Sequence, residues 1–135
     1  GRCCVFLHDT QKYVVNDHVD IIRVNELNPF YMCIFLLTQF GSAQVNRFGS
    51  GVSGIIGITF EQIKSVLIPL ISEKVQENIE SEYKKMSAYH DKAMDAKLKG
   101  DEVNYKKNIA TAERMLRDLI TRTESIIRGE KDDIV

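Results

Sequence analysis

Two long amphipathic stripes in the second half of the chain limit its fold more than any other feature. Apolar residues recur every three or four positions over residues 72–98, and the same spacing returns over residues 102–128. This is the period of an α-helix with one buried face, so each stripe predicts a helix of about 27 residues, roughly 40 Å long. Between them, Gly100 suits the end of one helix and Asp101 the start of the next.

The tight turn at Gly100 predicts that the two helices pair as an antiparallel hairpin over residues 71–135. Helices of equal length joined by a short turn can bury their apolar stripes against each other. A single long bent helix is the alternative, because a glycine inside a helix costs only about 1 kcal/mol relative to alanine.

Charged residues divide the chain into two parts. Residues 1–70 carry five basic and five acidic side chains, whereas residues 71–135 carry thirteen and fourteen. Dense charge of mixed sign is typical of a solvated helical surface, so the first part is predicted to be a small packed domain and the second a helical extension. The formal net charge of −1 argues against nucleic-acid binding by overall charge, and any DNA contact would depend on local patches.

Short runs of apolar and β-branched residues occupy much of the first part. The runs at residues 3–7, 13–15 and 19–24 predict three strands of a small sheet, and residues 66–68 predict another strand. The sequence also predicts three helices: residues 29–40, begun by Asn28-Pro29 and stopped by Gly41, residues 42–48, and residues 60–65, capped by Thr59. The predicted fold class is therefore α+β, a small mixed domain followed by a long, coiled-coil-like helical hairpin.

The histidines and cysteines do not form a recognisable active site. His8, His18 and His90 lack the spacing of metal ligands, although a site shared by the first two with a neighbouring aspartate is a weaker alternative. The three cysteines, Cys3, Cys4 and Cys33, indicate reduced thiols rather than a disulfide framework. We expect no catalytic residue, no metal and no cofactor, so the chain itself is predicted not to be an enzyme.

Membrane insertion is not expected. The most apolar stretch, residues 32–37, is much shorter than the ~20 residues that a membrane helix needs. The start of the chain does not resemble a secretory leader, so we expect a cytoplasmic protein.

A glycine-rich loop at residues 49–54 is the clearest candidate for ligand contact. Its glycines match the Gly-x-Gly-x-x-Gly pattern, but the strand and helix that a dinucleotide site requires around it are absent from the predicted order of elements. Main-chain N–H groups and hydroxyls beside Asn46 and Arg47 could approach a phosphate or a base edge. A plain surface turn is the alternative.

Five segments between residues 16 and 70 carry a family resemblance through their order. They are a strand-like run ending in Ile22-Arg23, the helix start Asn28-Pro29-Phe30-Tyr31, the Phe-Gly-x-x-Gln-x-x-Arg pattern of residues 40–47, Ser50-Gly51, and residues 58–70 ending in Ile68-Pro69-Leu70. In this order the chain resembles the specificity subunits of type I restriction-modification enzymes. Two departures are the Ile71-Ser72-Glu73-Lys74 stretch, where the family often has a second proline and a Glu-Gln pair, and the turn at Gly100.

The resemblance implies that residues 1–70 are the C-terminal part of a DNA target-recognition domain and residues 71–135 are spacer helices. It implies three partners: double-stranded DNA, the methyltransferase (modification) subunit and the restriction subunit. The two subunits would carry out methyl transfer and cleavage. A relative fused to a methyltransferase is an alternative arrangement. Self-association through the helices is also compatible with it.

The candidate DNA contacts combine basic, amide and hydroxyl side chains: Arg47, Asn46, Gln44, Ser50 and Ser53, with Lys12 and His18 as further candidates. Arginine can pair with phosphate or guanine, and asparagine or glutamine with adenine. The alternative function is a helical-hairpin interaction or dimerisation module that does not bind DNA.

Overall fold

The structure is a computed structural model that describes residues 2–8, 12–16, 19–48 and 58–134. Its helices are α1 (Pro29–Leu37), α2 (Gln39–Phe48), α3 (Phe60–Lys64), α4 (Glu73–Leu98) and α5 (Glu102–Ile127). No residue within the described ranges belongs to a strand. The α+β prediction is therefore wrong, and the described part of the chain is all helical.

The strand predictions fail because strand propensity does not supply a hydrogen-bonding partner. Residues 3–7, 13–15, 19–24 and 66–68 have suitable side chains, yet their main chains form no ladder with one another in the part that the structure describes. Side chains of helices bind two of these runs instead. The Val5 amide donates to the Tyr83 hydroxyl at 3.2 Å, and the Leu67 amide donates to the Gln44 side chain at 2.9 Å. Main-chain amides in these two runs thus find hydrogen-bond partners on helix side chains, and no sheet is needed to bind them.

The helical hairpin is found at the predicted place. α4 and α5 each have 26 residues, about 39 Å at 1.5 Å per residue, and they pack along each other. Gly100 has φ +73°, a left-handed conformation that favours glycine, and the Asp101 carboxylate accepts the Asn104 amide at 3.0 Å to start α5. These features end one helix and begin another, which excludes the single bent helix.

Helix α1 forms the core together with the base of the hairpin, the end remote from Gly100. It packs on both α4 and α5, and Tyr31, Ile34 and Phe35 are fully buried. Burying side chains of this size stabilises the fold by about 1.5–3 kcal/mol each. The hairpin contributes the other side of this core: Val75, Ile79, Tyr83, Met86, Ala112 and Leu119.

The break between α1 and α2 lies at Thr38, earlier than the predicted stop at Gly41. Thr38 has extended dihedral angles, and its hydroxyl oxygen accepts the Gly41 amide at 3.2 Å, which starts α2. Gly41 is buried inside α2, where an added Cβ would lie 2.7 Å from the Cα of Leu36 and closer still to the Phe35 carbonyl oxygen. Its role is therefore close packing of α2 on the end of α1.

The remaining described segments include the short helix α3 and the chain that follows α5. The prediction of a helix capped by Thr59 is confirmed, since α3 begins with a reciprocal Thr59 and Gln62 capping box. After α5, the chain turns at Gly129 (φ +71°) and folds back on the hairpin. The Asn78 side chain donates to Asp133 at 3.0 Å, and Ile134 is 2% exposed.

Candidate nucleic-acid interface

Helix α2 carries three of the predicted DNA contacts, and its start is fixed by α5. The Glu124 carboxylate accepts the main-chain amide of Gln39 at 2.7 Å and the side-chain amide of the same residue at 3.2 Å. A carboxylate at the first turn also interacts favourably with the positive end of the helix dipole. These contacts set the orientation of α2 relative to the hairpin.

Gln44 binds another part of the chain through its side-chain amide. Its Nε2 donates to the Leu67 carbonyl oxygen at 2.9 Å, and its Oε1 accepts the Leu67 amide at 2.9 Å. Nε2 also lies 3.3 Å from the Phe40 carbonyl oxygen. This side chain holds residues 66–68 against α2, and it would have to break both contacts with Leu67 to bind a base.

Asn46 and Arg47 occupy the last turn of α2. Both side chains are exposed, and Arg47 is the basic residue of that turn. Phe48 ends the helix, and residues 49–57 after it fall outside the described residues, as do the predicted contacts Ser50, Ser53 and His18. An arginine and an asparagine on one exposed turn offer donors for phosphate or guanine and a donor–acceptor pair for adenine.

Lys12 lies in an N-terminal segment. It is exposed, and the ring of its neighbour Tyr13 contacts Phe6 at 5.2 Å and His8 at 5.8 Å between ring centroids. Those contacts lie within the N-terminal segments rather than on α2. The structure thus brings Gln44, Asn46 and Arg47 onto one helix and does not bring Lys12 to it through these contacts.

A shallow concavity of about 380 Å³ lies between the chain before α1 and the short helix α3. It is lined by Ile21, Ile22 and Arg23 on one side and by α3 residues such as Phe60 and Lys64 on the other. The basic side chains Arg23 and Lys64 were not among the predicted contacts. Their sequence separation hid this proximity, since nothing in a single sequence pairs residues 41 positions apart.

Two residues of the Asn28-Pro29-Phe30-Tyr31 segment, which is one of the five segments that carry the family resemblance, connect α1 to other parts of the chain. The Tyr31 hydroxyl donates to the Pro69 carbonyl oxygen at 2.7 Å, and burial raises the pKa of Tyr31 to about 12, so it stays protonated. Asn28 accepts the Phe30 amide at 2.9 Å and donates to Glu80 at 2.7 Å, which joins the start of α1 to α4. The motif order was the only sequence signal that these segments belong together.

No group of three or more His, Cys, Asp or Glu in the described ranges is arranged to hold a metal ion. The helices of this part of the chain do not combine the length and apolar character needed to cross a membrane.

Comparison with known proteins gives no relative for this chain: no protein family, no curated protein and no solved structure matches it. The likeness to type I specificity subunits therefore depends on the motif order alone.

Proposed function

We propose that this chain is the C-terminal part of a DNA target-recognition domain with spacer helices, belonging to the specificity subunit of a type I restriction-modification complex. It contacts DNA through the exposed last turn of α2 and the residues that follow. The chain itself carries out no reaction. Methyl transfer and cleavage belong to the methyltransferase and restriction subunits of the complex.

The observation that carries this proposal is the joining of three family-like segments into one structural unit. Tyr31 of the Asn-Pro-x-Tyr segment binds Pro69 of the Ile-Pro-Leu ending, and Gln44 of the Phe-Gly-x-x-Gln-x-x-Arg segment binds Leu67 beside it. Segments that are separated in sequence thus contact each other in the structure, and together they form a framework made of α1, α2 and residues 66–69. Such a framework holds α2 in place and leaves Asn46 and Arg47 exposed.

DNA recognition through α2 depends on few side chains. A well-placed bidentate contact from Arg47 to guanine, or from Asn46 to adenine, discriminates against the wrong base by about 1–3 kcal/mol. The formal net charge of −1 gives little general attraction to phosphate, so affinity depends on such local contacts and on the assembled complex. We therefore expect a shallow dependence of binding on salt for this part of the protein.

The hairpin provides a spacer about 39 Å long, as its 26-residue helices require. Its base is covered by α1, whereas Leu98 and Val103 beside the turn are 87% and 79% exposed. We assign the distal half of the hairpin to contact with a partner subunit. The same two residues favour the second candidate function, a helical interaction module that does not bind DNA.

A selection experiment separates the two functions. The natural polypeptide that contains this chain is assembled with its methyltransferase subunit and mixed with a random duplex DNA library, and the bound sequences are counted. Enrichment of one short split motif supports DNA recognition. A stable complex of the two proteins that enriches no motif supports the interaction module instead.

A further inference from the structure

Two basic side chains from distant parts of the chain line the same surface concavity. Arg23 lies in the segment before α1, Lys64 is the last residue of α3, and both contribute to the concavity of about 380 Å³. Arg23 is exposed, and among the described residues it makes no ion pair. Lys64 pairs with Glu61 at 3.3 Å, and both side chains of this pair are mostly exposed. Because an exposed pair of this kind is weak, Lys64 can exchange Glu61 for another anion.

The rest of the concavity is apolar. Its other lining residues besides Glu61 are Ile21, Ile22, Phe60 and Ile63, and Phe60 is 72% exposed. Two basic side chains and one acidic side chain give the lining a charge of +1, in a chain whose formal net charge is −1. Apolar walls beside a cation strengthen its attraction for an anion that enters. The concavity therefore suits an anionic group flanked by carbon atoms, as a phosphodiester is flanked by its deoxyribose rings.

The Gln44 side chain connects this concavity to the last turn of α2. Gln44 binds the main chain of Leu67 through two hydrogen bonds, and Leu67 follows Lys64 by three residues. Three residues of chain span at most about 11 Å, and Arg47 lies less than one helical turn beyond Gln44, about 5 Å away. These links hold the Cα atoms of Lys64 and Arg47 within about 25 Å of each other. A duplex of one helical turn, about 34 Å long, can span both positions.

We propose that Arg23 and Lys64 bind the phosphate backbone of the DNA duplex whose bases are contacted by the last turn of α2. The inference rests on the proposed function and assigns backbone contacts to the same interface. Phosphate contacts fix the register of a protein on DNA without reading the sequence, whereas Asn46 and Arg47 supply the sequence-dependent contacts. The guanidinium of Arg23 can bind two oxygens of one phosphate at once, and the ammonium of Lys64 adds a point charge.

Phosphate contacts and base contacts respond differently to salt and to sequence. Each phosphate that a basic side chain neutralises releases counterions, and the slope of log K against log [salt] changes by about 0.9. Loss of Arg23 or Lys64 should therefore weaken binding to all sequences by the same factor and make the salt dependence shallower. Loss of a base contact instead changes the ratio of affinities for two sequences.

Affinity measurements at several salt concentrations test this assignment. The natural polypeptide, assembled with its methyltransferase subunit, is titrated with the selected duplex and with a scrambled duplex of the same composition. The variants are Arg23→Gln and Lys64→Gln. Their matched controls are Arg114→Gln on α5 and Lys131→Gln after it, which remove the same charge from other exposed positions. Thermal unfolding confirms that each variant folds.

We expect Arg23→Gln and Lys64→Gln each to weaken binding to both duplexes roughly three- to tenfold and to reduce the salt slope by about 0.9, whereas both controls bind like wild type. Glu61→Gln removes the acidic side chain of the concavity and should strengthen binding to both duplexes. Each of these results supports the assignment.

Three results would overturn it. Unchanged affinity and salt slope in both variants, with a wild type that still prefers the selected duplex, would reject the phosphate contacts and leave the proposed function standing. A loss confined to the selected duplex would make these residues base contacts. Weaker assembly with the methyltransferase subunit, at unchanged DNA affinity of the assembled complex, would make the concavity a protein-binding surface. A wild type that selects no motif would instead reject the proposed function, and this inference with it.

Discussion

The side chain of Gln44 and the main chain of Leu67 exchange two hydrogen bonds, each 2.9 Å long. The glutamine amide thereby replaces the neighbouring strand that residues 66–68 were expected to pair with. The same side chain was predicted to contact DNA, and in this structure its amide binds the protein. Exposed Asn46 and Arg47, further along α2, are left as the candidates for base contact on this helix.

Gln44→Ala should lower the free energy of unfolding by about 1 kcal/mol, because the Leu67 N–H and carbonyl groups lose their hydrogen-bond partner. The loss is moderate because these groups lie near the surface, where water can form hydrogen bonds with them instead. Urea unfolding followed by circular dichroism measures this. The control is Gln39→Ala, which removes one longer side-chain contact, with Glu124, and should have a smaller effect. Equal stabilities of Gln44→Ala and wild type would show that residues 66–68 are held by other contacts.

Gly41→Ala should destabilise the protein by about 1–3 kcal/mol, since the new methyl group would overlap the end of α1 at Phe35 and Leu36. The neighbouring exposed Ala43→Ser change should alter stability by less than about 0.5 kcal/mol. Thermal unfolding of both variants tests the close approach of α2 to α1. A stable Gly41→Ala protein would mean that α2 does not pack there.

Glu124→Gln should loosen α2 while leaving the hairpin intact. The carboxylate makes a charge-assisted hydrogen bond with the Gln39 amide at 2.7 Å, and replacing it with a neutral amide oxygen, a weaker acceptor, should lower stability by about 1 kcal/mol. Amide hydrogen exchange should quicken in α2 and remain slow in the middle of α5. Glu113→Gln, an exposed change on the same helix, is the control. Unchanged exchange in α2 would contradict the anchoring role of Glu124.

Stability should fall in acid partly through Glu80. Hydrogen bonds from Lys84 and Asn28 lower the pKa of this carboxyl below its usual value. A lowered pKa in the folded state means that the contribution is fully present above the unfolded-state pKa, about 4.3, and is lost as the pH falls through the folded-state value. The free energy of unfolding of wild type and Glu80→Gln, measured from pH 6 to pH 3, should converge at the acid end. A constant difference across this range would contradict the assignment.

The hairpin was predictable because its signals are local. A 3.6-residue period that continues for 26 residues, and a glycine followed by an N-capping aspartate, determine both helices and the turn at Gly100. The strands were wrong because pairing is a long-range property, and the partners of Val5 and Leu67 proved to be the side chains of Tyr83 and Gln44. The end of α1 was predicted at the wrong residue. A glycine after an apolar run is typical of a helix end, but Gly41 is needed for the close packing of α2 on α1.

The candidate site was predictable only in part. Residue types and motif order pointed to α2, and the structure places Asn46 and Arg47 on its exposed last turn. The binding of Gln44 to Leu67 joins residues 23 positions apart, which a local pattern does not indicate. The shared concavity of Arg23 and Lys64 likewise depends on where α3 lies.

The most direct test of the proposed DNA recognition is the affinity of the polypeptide, assembled with its methyltransferase partner, for the selected duplex, measured for wild type, Arg47→Ala and Arg114→Ala. Arg114 is an exposed arginine on α5 and serves as the matched control, with thermal unfolding to confirm that each variant folds. We expect Arg47→Ala to weaken binding roughly 10- to 100-fold and to relax the preference for one base pair, whereas Arg114→Ala should bind like wild type. Equal affinities of all three proteins for the selected duplex would contradict it.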